Sequence, residues 1–131
     1  MQAHLRVMSV FVDDQAKALE FYTKTLGFLP KADVPVGEDR WLTVVGADAP
    51  DGVELLLEPG SNPAAIAYTA SLREQGIPAA QFGVDDLVAA HDELSAKGVR
   101  FTLGPTPMGP VVGMVLDDTC GNLIQLVGPA A

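Results

Sequence analysis

The sequence predicts an α+β fold: two βαβββ modules forming a cup-shaped mixed sheet with helices on the convex face. Three observations carry this. A β-rich alternating stretch ending at Phe11-Val12 leads into a capped helix that runs from Asp14 to Gly27. A weaker copy recurs over Phe82–Val99, where Asp85 to Gly98 repeats the spacing of Asp14 to Gly27 and Phe82 precedes its Asp as Phe11 does. Each copy is followed by three segments of strand character. Two helices cover only one face of such a sheet. The other face is left concave and shared by the modules, a natural ligand site.

The elements follow in order. Leu5–Val12 reads as the first strand, with Met8, Val10 and Val12 on one face and Val7, Ser9 and Phe11 on the other. Asp13 or Asp14 supplies a side-chain oxygen for the free N–H groups of the next helix, Gln15–Leu26. Ala18, Leu19, Tyr22 and Leu26 form its apolar face, and Gly27 stands where a left-handed cap is wanted. Phe28–Asp33 is a short strand, broken by Pro30 and ended by Val34-Pro35-Val36-Gly37. Arg40–Ala47 and Val53–Glu58 form a hairpin around Asp48–Gly52. Ala64–Gln75 is a linking helix. The second module takes Pro78–Val84 as strand, Asp86–Lys97 as helix, and Val99–Leu103, Val111–Asp117 and Asn122–Val127 as strands. Gly104–Pro110 reads as a loop and Asp117–Asn122 as a tight turn. The expected organisation is one domain over 1–131, with module 1 at about 1–60, a linker at about 61–76 and module 2 at about 77–131.

Composition narrows the function. The chain has 131 residues, 48% of them hydrophobic, enough for one sizeable core. Its apolar runs fall short of the ~18 residues of a membrane span, and its N-terminus has no signal-peptide pattern. One cysteine permits no internal disulfide, so the expected setting is the cytoplasm. A net charge of −9 argues against a nucleic-acid partner and permits a cationic one.

The strand alternation selects the cup lining. Helix-covered Met8/Val10/Val12, Leu42/Val44 and Val53/Leu55/Leu57 send Val7, Ser9, Phe11, Trp41, Thr43, Glu54, Leu56 and Glu58 inward. Phe82 and Val84 likewise send Ala79, Gln81 and Gly83 inward, and Ile124 and Leu126 send Gln125 inward. The expected ligand-binding residues are Ser9, Phe11, Trp41, Thr43, Glu54, Leu56, Gln81 and Gln125. They make apolar walls with a few polar points. Glu54 is the candidate catalytic residue, a carboxylate in a sheet cavity that could act as a base. The alternative is a solvated carboxylate or an ion pair with Arg40 or Arg100. Trp41 is a stacking surface or a core or interface residue. Tyr68 and His91 read as packing residues and His4 as surface or interface. Cys120 lies in a turn without a neighbouring base, so it does not read as a nucleophile.

Asp14, Phe21-Tyr22, Leu26-Gly27-Phe28, Val84-Asp85-Asp86, Gly98-Val99-Arg100-Phe101 and Asp118…Gly121-Asn122 together resemble the glyoxalase, bleomycin-resistance and extradiol-dioxygenase superfamily, the vicinal oxygen chelate proteins. The resemblance covers nearly the whole chain. It implies paired βαβββ modules, a homodimer, and in the enzymes a divalent metal held by four side chains from the cup strands. Those four positions fall here on Val7, Glu54, Ala79 and Gln125. Val7 and Ala79 have no donor atom, and a transition-metal site needs three or four protein ligands. No metal and no other cofactor is therefore expected. The function expected is that of a metal-independent small-molecule binding protein of the bleomycin-resistance type, an antibiotic-resistance-like role, with the ligand in an acidic, Trp-lined cup. The alternatives are a lyase, isomerase or dioxygenase with a non-standard site around Glu54, Glu58, Gln125 and one histidine, or a dimeric interaction module.

Overall fold

A computed structural model describes residues 1–130. The chain forms two compact units, Met1–Ile66 and the part from Ala67 onward. Unit 1 contains β1 (Val7–Val12), α1 (Gln15–Glu20), β2 (Leu29–Val36), β3 (Asp39–Val45) and β4 (Glu54–Pro59). A helix, α2 (Pro63–Glu74), carries the chain from one unit into the next. Unit 2 contains β5 (Ala80–Gly83), α3 (Leu87–Ala96), β6 (Phe101–Met108), β7 (Val111–Asp117) and β8 (Leu123–Pro129). Each unit is strand–helix–three strands, the α+β arrangement the repeat predicts. Each has a four-stranded mixed sheet, ordered β1-β4-β3-β2 in the first and β5-β8-β7-β6 in the second. The β1–β4 and β5–β8 pairs are parallel and the others antiparallel.

In unit 1, α1 packs on β3 and β4. It covers a face on which Val10, Val12, Leu42, Val44 and Leu57 are buried, together with Ala18, Phe21 and Tyr22 from the helical segment. In unit 2, α3 packs on β6, β7 and β8 over buried Leu87, Leu94, Met114, Leu116, Ile124 and Leu126. Burying one such aliphatic side chain contributes about 1.5–3 kcal/mol, so these two layers carry most of the driving force.

The repeat is real, but its register is not the one the spacing suggests. Asp14 caps α1 by accepting the Lys17 N–H at 3.0 Å, and Asp86, not Asp85, caps α3 by accepting the Ala89 N–H at 3.0 Å. Both helical segments end on a left-handed glycine, Gly27 and Gly98, each at φ 83°. The first segment is thus one residue longer than the second. The extra residue is taken up by a π-helical turn over Phe21–Thr25, in which the Leu26 N–H donates to the Phe21 carbonyl at 3.1 Å. The helix expected over Gln15–Leu26 therefore ends as α-helix at Glu20.

Two loops expected from proline and glycine are strands instead. β2 runs through Pro30 and Pro35 to Val36, with an irregularity between Pro30 and Ala32. β6 runs through Gly104, Pro105 and Pro107 to Met108, with register shifts on either side of Leu103. Both are edge strands, where a missing N–H on the outer side removes no ladder bond.

Candidate functional site

The ladders of unit 1 place the expected residues on the sheet face opposite α1. Val7 pairs with Glu54, Ser9 with Leu56 and Phe11 with Glu58. Thr43 pairs with Leu56 on its other side, and Trp41 pairs with Val34. With side chains alternating along each strand, Ser9, Phe11, Trp41, Thr43, Glu54, Leu56 and Glu58 share this face. Its middle is tightly built. Thr43 is fully buried, and its hydroxyl donates to Glu54 Oε1 at 2.6 Å while accepting the Ala32 N–H at 3.1 Å. That hydroxyl ties β2, β3 and β4 together and occupies one oxygen of the half-buried Glu54. Glu54 is paired with neither Arg40 nor Arg100 in any ion pair of the described residues. Arg40 instead holds Asp33 through Nε at 3.0 Å and Nη2 at 2.7 Å. That hydrogen bond holds the Asp33 carboxyl below the usual carboxylate range against the opposing effect of desolvation, with the guanidinium's charge adding a smaller pull in the same direction.

The edge of this face is open. Trp41, the single tryptophan, is 44% exposed beside the exposed Val34 and Val36. It lines a cavity of about 170 Å³ with Val36, Asp39, Arg40, Leu56, Glu58 and Pro59. Beside it the pairing of β3 with β4 stops. Ladder pairing between them is confined to Thr43–Leu56 and Val44–Leu55. Continued, that register sets Arg40 opposite Pro59, which has no N–H to give. The side chain of Gln15, at the start of α1, stands in: its Nε2 donates to the Arg40 carbonyl at 2.7 Å and the Leu57 carbonyl at 2.8 Å, and its Oε1 accepts the Arg40 N–H at 3.1 Å. Sequence reasoning missed Gln15. The available signal was a polar residue at the helix position where the second unit has Leu87.

Unit 2 brings together two of the expected residues. Gln81 pairs with Gln125 across β5 and β8, and Gln81 Nε2 donates to Gln125 Oε1 at 2.8 Å. Gln125 Nε2 donates in turn to the Met108 thioether at 3.4 Å. Met108 lies over Gly113, where a Cβ would fall 2.7 Å from its sulfur. The Asp117–Asn122 turn is held from within. Asp118 is fully buried, its Oδ1 accepting the N–H groups of Cys120 at 2.7 Å and Asn122 at 2.9 Å and its Oδ2 accepting Asn122 Nδ2 at 3.0 Å. Asp117 pairs with Arg73 at 2.7 Å. Burial pushes the Asp117 carboxyl up, but the Arg73 hydrogen bond, the Thr119 N–H and the charges of Arg73 and Arg100 outweigh it and hold it below the usual range.

The remaining candidates stay apart from this chemistry. His91 packs on Phe101 with ring centroids 4.6 Å apart, Cys120 is buried, and His4 is exposed. Tyr68, expected to pack, is 52% exposed on α2. The positions at which the family resemblance implies metal ligands do not fit a divalent ion. Val7 and Ala79 carry no donor, one Glu54 oxygen is held by Thr43, and the Gln125 amide is bonded at both ends. Among the described residues no group of three His, Cys, Asp or Glu side chains is placed to hold a metal, and no helix is long and apolar enough to cross a membrane.

Comparison with known proteins agrees with the fold. Residues 2–126 match the model of the Glyoxalase/Bleomycin resistance protein/Dioxygenase superfamily. The chain is 54% identical over 121 residues to the uncharacterized protein YurT of Bacillus subtilis (strain 168), covering 92% of this chain and 95% of that one. The crystal structure of UcmS2 superposes with a TM-score of 0.83 at 30% identity, covering 97% of this chain and 98% of that one. TnmS3, an antibiotic binding protein from Streptomyces sp. CB03234, superposes with a TM-score of 0.75 at 29% identity over 98% of both chains.

Proposed function

We infer the function from one premise: the chain belongs to the Glyoxalase/Bleomycin resistance protein/Dioxygenase superfamily, whose model spans residues 2–126. Within it, the proposed role is a metal-independent small-molecule binding protein. The observation that carries this is the open cavity beside Trp41. An indole there offers a stacking surface for a planar ring. Asp39 and Glu58 outweigh the charge of Arg40, which is itself paired with Asp33, so the cavity favours a cation. The proposed ligand is therefore a planar aromatic molecule bearing positive charge. Ser9, Phe11, Thr43, Glu54 and Leu56 are its further proposed contacts in unit 1, and Gln81 and Gln125 are proposed separately as ligand-binding residues of unit 2. Glu54 is proposed as a polar anchor rather than a base, because the Thr43 hydroxyl already engages it. That TnmS3 is an antibiotic binding protein supports the ligand's general kind.

A thermal-shift screen of planar aromatic cations tests this, with Trp41 fluorescence as a built-in reporter. A ligand at a hundred times its Kd stabilises the native state by about 2.7 kcal/mol. Hits should quench Trp41 and be lost in Trp41→Ala. Near-stoichiometric zinc, nickel or iron in the purified protein, lost in Glu54→Ala, would overturn the reading in favour of a metalloenzyme. A cytoplasmic homodimer is part of the proposal. It rests on the edge strand β1 with exposed Leu5, Met8 and Val53 nearby. A sedimentation mass of one chain at micromolar concentration would contradict it.

A further inference from the structure

We propose that Gln15 is the positioning residue of the Trp41 cavity, and that the pair Gln15 and Pro59 turns a closed sheet seam into a ligand-shaped opening. The inference rests on the reading of that cavity as the ligand site. Its argument comes from comparing the two units. Gln15 and Leu87 each directly follow the capping aspartates Asp14 and Asp86. Val12 and Val84 each lie two residues before those aspartates. Val12 pairs with Pro59, and the Gly83–Val127 pair extends to set Val84 beside Gly128. Pro59 in unit 1 therefore corresponds to Gly128 in unit 2, and Gln15 to Leu87.

In unit 2 the seam is shut. β7 and β8 pair residue by residue from Asp117–Leu123 to Val111–Pro129, including Val112 with Gly128. Leu87 is buried against it: a Cβ added to Gly128 would stand 3.4 Å from Leu87 Cβ. In unit 1 the proline withholds its N–H, and a glutamine replaces the leucine. The Gln15 amide satisfies both the N–H and the carbonyl of Arg40 from the helix-covered side, and the cavity opens on the other side between Trp41 and Glu58. Both changes are needed together. Proline alone would leave the Arg40 carbonyl orphaned, and glutamine alone would compete with an intact ladder.

The test compares wild type with Gln15→Leu, Pro59→Gly and the double variant, which carries the pair of unit 2. Proflavine, a planar aromatic cation, is titrated against Trp41 fluorescence, and amide hydrogen exchange follows the Arg40 N–H. Gln15→Leu should speed Arg40 exchange and weaken proflavine binding, each at least tenfold. The double variant should regain Arg40 protection, because the restored N–H of residue 59 lets the β3–β4 ladder close and sets the residue-59 carbonyl on the Arg40 N–H, while binding stays weak because the seam has closed. Recovery of both together would reduce Gln15 to a structural residue and overturn the proposal, as would unchanged exchange in Gln15→Leu. If wild type does not bind proflavine, the ligand reading fails, and acrylamide quenching of Trp41 decides the seam. It should fall at least twofold in the double variant, and unchanged quenching refutes the inference. Gln15→Met carries the same measurements if Gln15→Leu does not fold.

Discussion

Replacing Thr43 with valine removes one oxygen from the centre of unit 1 and little else, since the two side chains are nearly the same size. The hydroxyl makes two bonds, accepting the Ala32 N–H at 3.1 Å and donating to Glu54 Oε1 at 2.6 Å. The Ala32 N–H sits beside the irregularity in β2, where Ala32 pairs with Thr43 itself. Leaving a part-buried N–H unsatisfied costs about 1–2 kcal/mol. Glu54 is half-buried and turns to water, so its lost bond costs about 0.5–1 kcal/mol. The sum is about 2 kcal/mol. With an unfolding entropy near ~2.1 cal/mol/K per residue, the chain should lose about 7 °C in Tm. Glu54→Gln keeps an acceptor for the same hydroxyl and should cost under ~1 kcal/mol. Calorimetry of both variants and of the double variant gives the coupling between the two side chains. A Tm change below about 2 °C for Thr43→Val would show that the bond across β3 and β4 does not hold this face together.

Two further outcomes follow from unit 2. Asp117 has a lowered carboxyl pKa, so its pairing with Arg73 stabilises the fold above about pH 4, and that contribution disappears as the pH falls through the folded-state value. In urea titrations, the stability gap between wild type and Asp117→Asn should narrow steadily from pH 5 to pH 2.5; a gap independent of pH would contradict the assignment. Asp118→Ala strips three hydrogen bonds from a fully buried turn and should cost about 3–5 kcal/mol, seen as a Tm loss above about 10 °C, whereas a loss under about 3 °C would mean the turn holds without it.

Much of the fold is legible locally. Asp14 before a helical run, Gly27 after it, and alternating valines before Asp14 each report on neighbours within a few residues, which is the range of capping and periodicity. The same holds for the donor set: Val7 and Ala79 lack metal-binding atoms whatever the fold does with them. The repeat was legible too, but not its register. Asp85 and Asp86 are equally good caps on paper, and only the π-helical turn over Phe21–Thr25 accounts for the unequal lengths of the two helical segments.

What the sequence by itself determined, then, is the order of strand and helix, the glycines that end the two helical segments and the lack of donor atoms at Val7 and Ala79. Tertiary structure alone decided what depends on which strand lies at an edge and which side chain crosses to another element. Pro30, Pro35, Pro105 and Pro107 look like strand breakers until β2 and β6 are seen at sheet edges, where the outer N–H has no ladder to serve. Gln15 is only the first residue of an expected helix until its amide is found on the backbone of residues 25 and 42 positions away. Hydrogen bonds of that span carry no periodicity, because their donors and acceptors meet only after the sheet and helix have packed.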